Sequence, residues 1–211
     1  MQSTVISNLK RGHNVITLLQ LDAFREIVNI GVGRAAASLN DMLDSPIVLE
    51  VPEVTMIAYE DLEKFSGTAS ESFSCVQLGF RGPFSGVAAL VFPPASAVKL
   101  VAAMTAEEPD NPGLDGVMAG TLNEIGNIVI NCVIGTIGNI LERPFDFSLP
   151  NYLHGALREI LHVGADSAKH SILLVKTHFI VHEKHIDGNI FIIFEASSFD
   201  ALLAAIDQLY E

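Results

Sequence analysis

Tryptophan is absent from this 211-residue sequence, cysteine occurs only twice, and basic residues are few. The two cysteines, Cys75 and Cys132, form neither a CxxC pair nor a disulfide framework, which is typical of a protein from a reducing compartment. Lys and Arg number 12 against 25 Asp and Glu, giving a net charge of −13. Nucleic-acid surfaces and sites for anionic membranes both need clustered basic residues, so we expect neither partner.

The sequence also offers no clear targeting or membrane-spanning segment. Residues 1–16 contain no apolar stretch of the length that a secretory signal needs, so we expect a cytoplasmic protein. Residues 125–141 form a run of 17 residues without a charge, but the run holds three asparagines and three glycines. A spanning helix requires about 20 mostly apolar residues. We therefore expect a long helix buried in the protein, without membrane insertion.

Hydrophobic spacing and turn residues divide the chain into helices and strands. Thr17 and Gln20 fit a capping box at the start of a helix, and Pro112 sits where the first turn of another helix accepts proline. Gly82-Pro83 and Asp187-Gly188 each indicate the turn of a hairpin. The pattern predicts helices over residues 17–43, 95–105, 112–142 and 199–209, and strands over residues 47–54, 72–81, 84–92, 145–149, 170–183 and 189–195.

The order of elements occurs twice along the chain, and three residue types recur at one separation. Each pair differs by 98 positions, and no insertion interrupts the span between them. A chance match could supply one similar helix segment, but a proline at the same distance beyond both copies indicates an internal duplication. The three pairs are Glu26 with Glu124, Asn29 with Asn127, and Pro52 with Pro150.

The duplication predicts one domain over residues 1–211, built from two incomplete half-repeats that share one core. The half-repeats cover about residues 17–105 and 113–209, with a connector at about 106–112. We expect an α/β fold of the α+β type. A mostly antiparallel sheet would come from both halves, and the two long repeated helices would lie side by side on one exposed face.

The repeated helix has one apolar and one polar face, given about 100° of rotation per residue. An ordinary solvated surface would explain one such polar face, but two copies in register make that explanation weaker. Asn is unfavourable inside a helix because its side chain competes for backbone hydrogen bonds. Its recurrence at equivalent positions of the two copies therefore indicates a function for the amide. The polar face consists of Asp22, Glu26, Asn29 and Gly33 in the first copy, and of Gly120, Glu124, Asn127 and Asn131 in the second.

These residues resemble the signature of the CheC family of chemotaxis phosphatases, which is related to CheX and FliY. The spacing Asp-x3-Glu-x2-Asn-x22-Pro is matched at all four positions by the first copy, Asp22, Glu26, Asn29 and Pro52. The second copy departs from it, because Gly120 stands where the family usually has Asp or Ser. Two copies resemble CheC more than CheX, and the resemblance extends over residues 21–209.

The resemblance implies an enzyme that hydrolyses the aspartyl phosphate of a CheY-type response regulator. Asn29 and Asn127 would orient the attacking water, since an amide oxygen accepts a hydrogen bond without adding charge. Glu26 and Glu124 would pair with a cation on the regulator, such as its active-site lysine, and fix the docking. Any Mg²⁺ would belong to the regulator, so we expect no cofactor of the chain's own. The receptor deamidase CheD is a second partner that the family implies.

The remaining motif residues have two open interpretations. Asp22 is either part of the site or an acid that is favourable in the first turns of a helix because of the helix dipole. Pro52 and Pro150 are expected to shape the strand or loop after each helix and to take no part in the chemistry.

Two other function classes remain as alternatives. A binding or adaptor module would dock receivers or flagellar proteins without hydrolysis, although docking alone does not explain the two amides. A metal hydrolase would use His178, His182 and His185, but no cysteine or carboxylate cluster completes a tetrahedral set, and exposed edge-strand histidines explain them better. Cys132 is expected to be a small buried residue rather than a nucleophile.

Overall fold

The computed structural model describes residues 16–43, 47–57, 72–105, 114–161, 171–181 and 184–210. The elements form two similar series, each opening with a long helix followed by strands and closing with a shorter helix. The elements are α1 (Leu18–Leu43), β1 (Ile47–Ile57), β2 (Phe73–Arg81), β3 (Gly86–Phe92), α2 (Pro94–Thr105), α3 (Leu114–Ile140), β4 (Asp146–Phe147), β5 (Asn151–Gly155), α4 (Leu157–Ile160), β6 (Ser171–Val181), β7 (Lys184–Phe194) and α5 (Ala196–Asp207), which continues as a 3₁₀ turn over Gln208–Tyr210.

The seven strands form one sheet in the order β1-β6-β7-β3-β2-β4, and β5 also pairs with β2. All of these pairs are antiparallel. The strand that follows each long helix pairs with a strand of the other half, because β1 lies beside β6 while β4 and β5 lie end to end beside β2. The predicted α+β fold with a mostly antiparallel sheet is confirmed.

Both faces of the sheet carry apolar side chains. Successive residues of a strand point to opposite faces, so each strand contributes to both. On one face, Val76 and Leu90 belong to the main core, which also contains the buried sides of α1, α2, α3 and α5. On the other face, Cys75 and Val91 belong to a smaller cluster with Leu157 and other residues around α4. The main core therefore holds the two long helices firmly against the sheet.

The two long helices pack side by side and run in opposite directions. Gly31 of α1 lies against Cys132, Val133 and Thr136 of α3, and Ser38, seven residues further along α1, still lies next to Cys132. In a parallel pair, the neighbours of Ser38 would lie further towards the end of α3. The predicted arrangement of the helices is therefore present. Cys132 is only partly buried, because it borders this contact rather than the centre of the core.

Helix α3 includes the uncharged run noted in the sequence. By length and composition alone, Val117–Ile140 would qualify as a membrane span. However, Leu122, Val129 and Ile137 are buried in the main core. The run is thus explained by the packing of α3 against the sheet and against α1.

The capping box at the start of α1 is present. The backbone N–H of Thr17 donates to Oε1 of Gln20 at 2.9 Å, and the backbone N–H of Gln20 donates to the Thr17 hydroxyl at 3.2 Å. Nε2 of Gln20 also donates to the carboxylate of Asp207 at 2.9 Å, which ties the start of α1 to the end of α5. The predicted capping box is therefore confirmed, and Gln20 also makes a long-range contact with Asp207.

The predicted turn at Asp187-Gly188 is wrong. Both residues lie inside β7, opposite His178 and Thr177 of β6, and the pairing of the two strands continues to Val181 and Lys184. Glycine occupies position 188 because a Cβ there would lie 2.8 Å from the Phe92 ring and 3.0 Å from the Phe179 ring. Close packing against two aromatic rings, rather than a chain reversal, explains this glycine.

Other boundaries differ in smaller ways. The strand predicted over residues 145–149 is shortened to β4, and β5 and α4 were not predicted. The turn at Gly82-Pro83 does join β2 to β3. Residues 106–112, the predicted connector, and the N-terminal residues 1–15 lie outside the described part of the chain, and the domain limits stay a prediction.

Candidate functional site

The first candidate site lies on the outward side of α1. Phe24 and Val28 are buried in the main core, so the helix turns Glu26 and Asn29 towards solvent. Residues three apart on a helix are neighbours, which places the carboxylate and the amide side by side. The site is therefore an exposed acid and an exposed amide on a helix that the core holds in place.

Asp22 also lies on this exposed face, one turn before Glu26. Its Oδ1 pairs with Nη1 of Arg25 at 3.0 Å, and both side chains are largely exposed. This pair was not predicted, although the i, i+3 spacing of opposite charges is the signal that would have indicated it. Asp22 thus has a local partner in addition to its favourable position near the start of the helix.

The second candidate site lies on α3 and is built differently. Glu124 is exposed and Asn127 is partly buried. Nδ2 of Asn131, one turn further on, donates a hydrogen bond to Oδ1 of Asn127 at 2.8 Å. Gly120 replaces Asp22, and a Cβ at this position would meet no atom within 4 Å. The second site consequently lacks the acid one turn before Glu124 and gains a hydrogen bond to its amide.

The structure keeps the two sites apart. A close approach of α1 to α3 lies at Gly31, where an added Cβ would be 2.8 Å from Cα of Val133. Asn29 precedes Gly31 by two positions and Asn127 precedes Val133 by six, on helices that run in opposite directions. With a rise of 1.5 Å per residue, the two asparagines lie about 12 Å apart along the helix axes. Asn29 and Asn127 are therefore not adjacent to each other.

The two prolines interrupt equivalent edge strands. Pro52 lies in β1, where the register of its pairing with β6 shifts between Glu50 and Glu53. Pro150 lies between β4 and β5, where the edge beside β2 is broken. Proline has no N–H to donate to a sheet and is found at edges and bulges for that reason. Both positions fit the expected structural role.

Within the described residues, histidine and cysteine side chains form no further site besides those on α1 and α3. Nδ1 of His178 lies 2.7 Å from Oδ1 of Asp187 on the neighbouring strand, a pair that is largely exposed. His182 lies outside the described residues, and the side chain of His185 is not described either. Within the described ranges, no group of three or more His, Cys, Asp or Glu side chains is placed to hold a metal ion.

Cys75 is fully buried in the smaller core cluster. Desolvation by burial raises the pKa of its thiol from the ordinary value of 9.0 to about 12. Because the thiolate is the reactive form of cysteine, this residue is not a nucleophile at neutral pH.

Known proteins are similar to this chain in sequence and in fold. The family profile described as "Chemotaxis phosphatase CheX" matches residues 74–173, a segment that contains the second site but not the first. The chain is 24% identical over 199 residues to "CheY-P phosphatase CheC" from Bacillus subtilis (strain 168), and the alignment covers 89% of this chain and 93% of that one.

Two solved structures show the likeness of fold. Thermotoga maritima FliY gives a TM-score of 0.71 at 16% identity and covers 92% of this chain and 99% of its own. A chain of the CheX–CheY–BeF₃–Mg²⁺ complex from Borrelia burgdorferi gives a TM-score of 0.50 at 18% identity, covering 80% of this chain and 97% of its own.

Proposed function

Because the chain belongs to the CheC, CheX and FliY family of chemotaxis phosphatases, we propose that it hydrolyses the aspartyl phosphate of a phosphorylated CheY-type response regulator. The observation that carries this proposal is the recurrence of an outward-facing Glu and a nearby Asn on both long helices. A helix that is held by a buried apolar face presents these groups without a large ordering cost, which suits insertion into a partner's active site.

The amide is the group that we assign to the chemistry. In the reaction, a water oxygen attacks phosphorus, the bond from phosphorus to the aspartyl oxygen breaks, and inorganic phosphate and the free carboxylate are released. Catalysis of phosphoryl transfer depends on positioning and on electrostatics. The side-chain oxygen of Asn29 or Asn127 would accept a hydrogen bond from this water and hold it in line with the leaving oxygen.

The carboxylates are assigned to docking. Glu26 and Glu124 are exposed, and neither has an ion-pair partner within the described part of the chain. A carboxylate would repel the anionic phosphoryl group but would attract a cation beside it, such as a lysine in the regulator's active site. Each Glu therefore sets the orientation in which the neighbouring Asn reaches the phosphoryl group.

Further parts of this proposal rest on the family resemblance. Any Mg²⁺ would be bound by the response regulator and not by this chain. CheD is proposed as a second partner, and the cytoplasm is proposed as the compartment in which these proteins meet.

An adaptor that binds the receiver without hydrolysis is the alternative function. It would use the same exposed helix faces, and the likeness of fold does not separate the two functions because fold alone does not determine activity. The amide separates them, since docking through Glu26 and Glu124 does not need a water-orienting group.

The decay of a phosphorylated receiver tests the proposal. We expect wild-type protein to accelerate decay, Asn29→Ala and Asn127→Ala each to remove part of the acceleration, and the double variant to remove nearly all of it. Asn139→Ala is the matched control, because Asn139 is an exposed asparagine near the end of α3.

Two results would contradict the proposed mechanism. A double variant that accelerates decay as well as wild type would show that the amides do no chemistry. A wild-type protein that binds the phosphorylated receiver and leaves its decay unchanged would favour the adaptor.

A further inference from the structure

The two sites differ in how the amide is held. Asn131 donates from Nδ2 to Oδ1 of Asn127 at 2.8 Å, and both side chains are partly buried. The equivalent position on α1 is Gly33, which has no side chain to offer Asn29. The hydrogen bond is therefore a property of the second site alone.

The hydrogen bond from Asn131 to Asn127 comes with an unfavourable buried group. The oxygen of Asn131, Oδ1, is buried and has no hydrogen-bond partner among the described residues. A buried amide oxygen without a partner is unfavourable, and an apolar residue at this position of the helix would avoid the loss. Of the polar atoms in this side chain, Nδ2 is the one that makes the hydrogen bond to Asn127.

An amide held in this way remains able to orient water. A carbonyl oxygen has two acceptor positions, so Oδ1 of Asn127 keeps one after accepting from Asn131. The terminal torsion of an asparagine side chain has a broad minimum, and one hydrogen bond narrows the range of orientations that the amide samples. Asn131 follows Asn127 by four residues whereas Glu124 precedes it by three, so the two flank the amide along the helix axis.

We propose that Asn131 is a positioning residue of the second site, which fixes the Asn127 carboxamide in the orientation that aligns the attacking water. This inference rests on the proposed phosphatase function. It assigns the turnover of the second site to a pair of asparagines rather than to Asn127 alone.

The test uses Asn29→Ala protein, in which only the second site is active. Adding Asn131→Ala is expected to lower kcat for the phosphorylated receiver by about three- to tenfold, the effect of one hydrogen bond, while KM changes less than about twofold. Asn131→Asp keeps the size of the side chain but cannot donate when ionised, and its charge adds repulsion towards an anionic phosphoryl group, so we expect at least as large a loss of kcat. Asn139→Ala in the same protein is expected to leave both constants unchanged.

A reciprocal variant tests the same idea in the first site. A Cβ at Gly33 would meet no atom within 4 Å, so a larger side chain has room there. In Asn127→Ala protein, Gly33→Asn is expected to raise kcat, whereas Gly33→Ala, which supplies helix propensity without a donor, is expected to leave kcat unchanged.

Several outcomes would overturn the inference. They are an unchanged or raised kcat in Asn131→Ala, full activity in Asn131→Asp, and a change in KM alone. Circular dichroism of each variant separates a loss of folding from a loss of turnover. The failure of the phosphatase proposal itself is distinct, because it would appear as the absence of any acceleration by the wild-type protein.

Discussion

At the scale of single residues, the two sites share Glu and Asn and differ in the residues one turn away. The first site has Asp22, and the second has Gly120 at the equivalent position. The first has Gly33, and the second has Asn131, whose amide reaches Asn127. Duplication therefore preserved the groups proposed for docking and water orientation, while their neighbours diverged.

Gly120→Asp tests whether the acid missing from the second site contributes to docking. In Asn29→Ala protein, we expect this variant to lower KM for the phosphorylated receiver by about two- to threefold with kcat unchanged, since an exposed charge contributes only modestly. Open space around Gly120 means that the aspartate meets no steric obstacle. Gly120→Ala is the control for helix propensity, and an equal change of KM in both variants would show that the carboxylate has no role.

At the scale of elements, the crossing of α1 and α3 sets where the sites are. Gly31 is buried at this crossing, and a Cβ on it would lie 2.8 Å from Cα of Val133 and 3.2 Å from the carbonyl oxygen of Cys132. Both neighbouring atoms are backbone and cannot move aside as a side-chain tip would. The glycine therefore allows the two helices to approach closely.

Gly31→Ala is expected to lower the free energy of unfolding by about 1–3 kcal/mol, because the added methyl group forces the helices apart. Gly33→Ala, two residues further on the same helix and facing open space, is expected to raise it by about 0.5–1 kcal/mol. Urea unfolding followed by far-ultraviolet circular dichroism measures both, and the absence of Trp makes this probe preferable to fluorescence. A stabilised Gly31→Ala protein would show that the helices do not cross this closely.

At the scale of the whole molecule, the sheet makes the two halves inseparable. Each half pairs its edge strand with the other half, β1 with β6 and β4–β5 with β2, while β3 and β7 meet at the centre. Neither half could bury its own apolar faces without the other, so we expect the halves to unfold together.

Cys75 provides a pH-dependent probe of that unfolding. In the folded protein its thiol has a pKa of about 12, whereas the unfolded thiol ionises from about pH 9. Above pH 9 the unfolded state loses a proton that the folded state keeps, so stability falls as pH rises and is unaffected by this group below pH 9.

Between pH 9 and 12, the free energy of unfolding of wild type should fall by roughly 1.4 kcal/mol per pH unit relative to Cys75→Ala. The comparison uses the slope of stability against pH in urea titrations, since the variant also loses packing at every pH. Parallel slopes for the two proteins would exclude Cys75 as the group responsible.

Much of the local structure could be predicted because it depends on neighbouring residues. The capping box of Thr17 and Gln20 and the long amphipathic helices all follow from residues within a few turns. The turn predicted at Asp187-Gly188 is wrong for the opposite reason. The pair resembles a turn locally, but the rings of Phe92 and Phe179, distant in sequence, are what require glycine at position 188.

The repeat at an interval of 98 residues and the face of each long helix that carries Glu and Asn follow from the amino-acid sequence alone, because helical periodicity is a property of neighbouring residues. Three features needed the folded chain: each half completes the sheet of the other, Asn29 and Asn127 lie apart, and Asn131 donates a hydrogen bond to Asn127 at 2.8 Å. Strand partners and side-chain orientations are selected by packing between segments distant along the chain, where several arrangements satisfy the same local pattern.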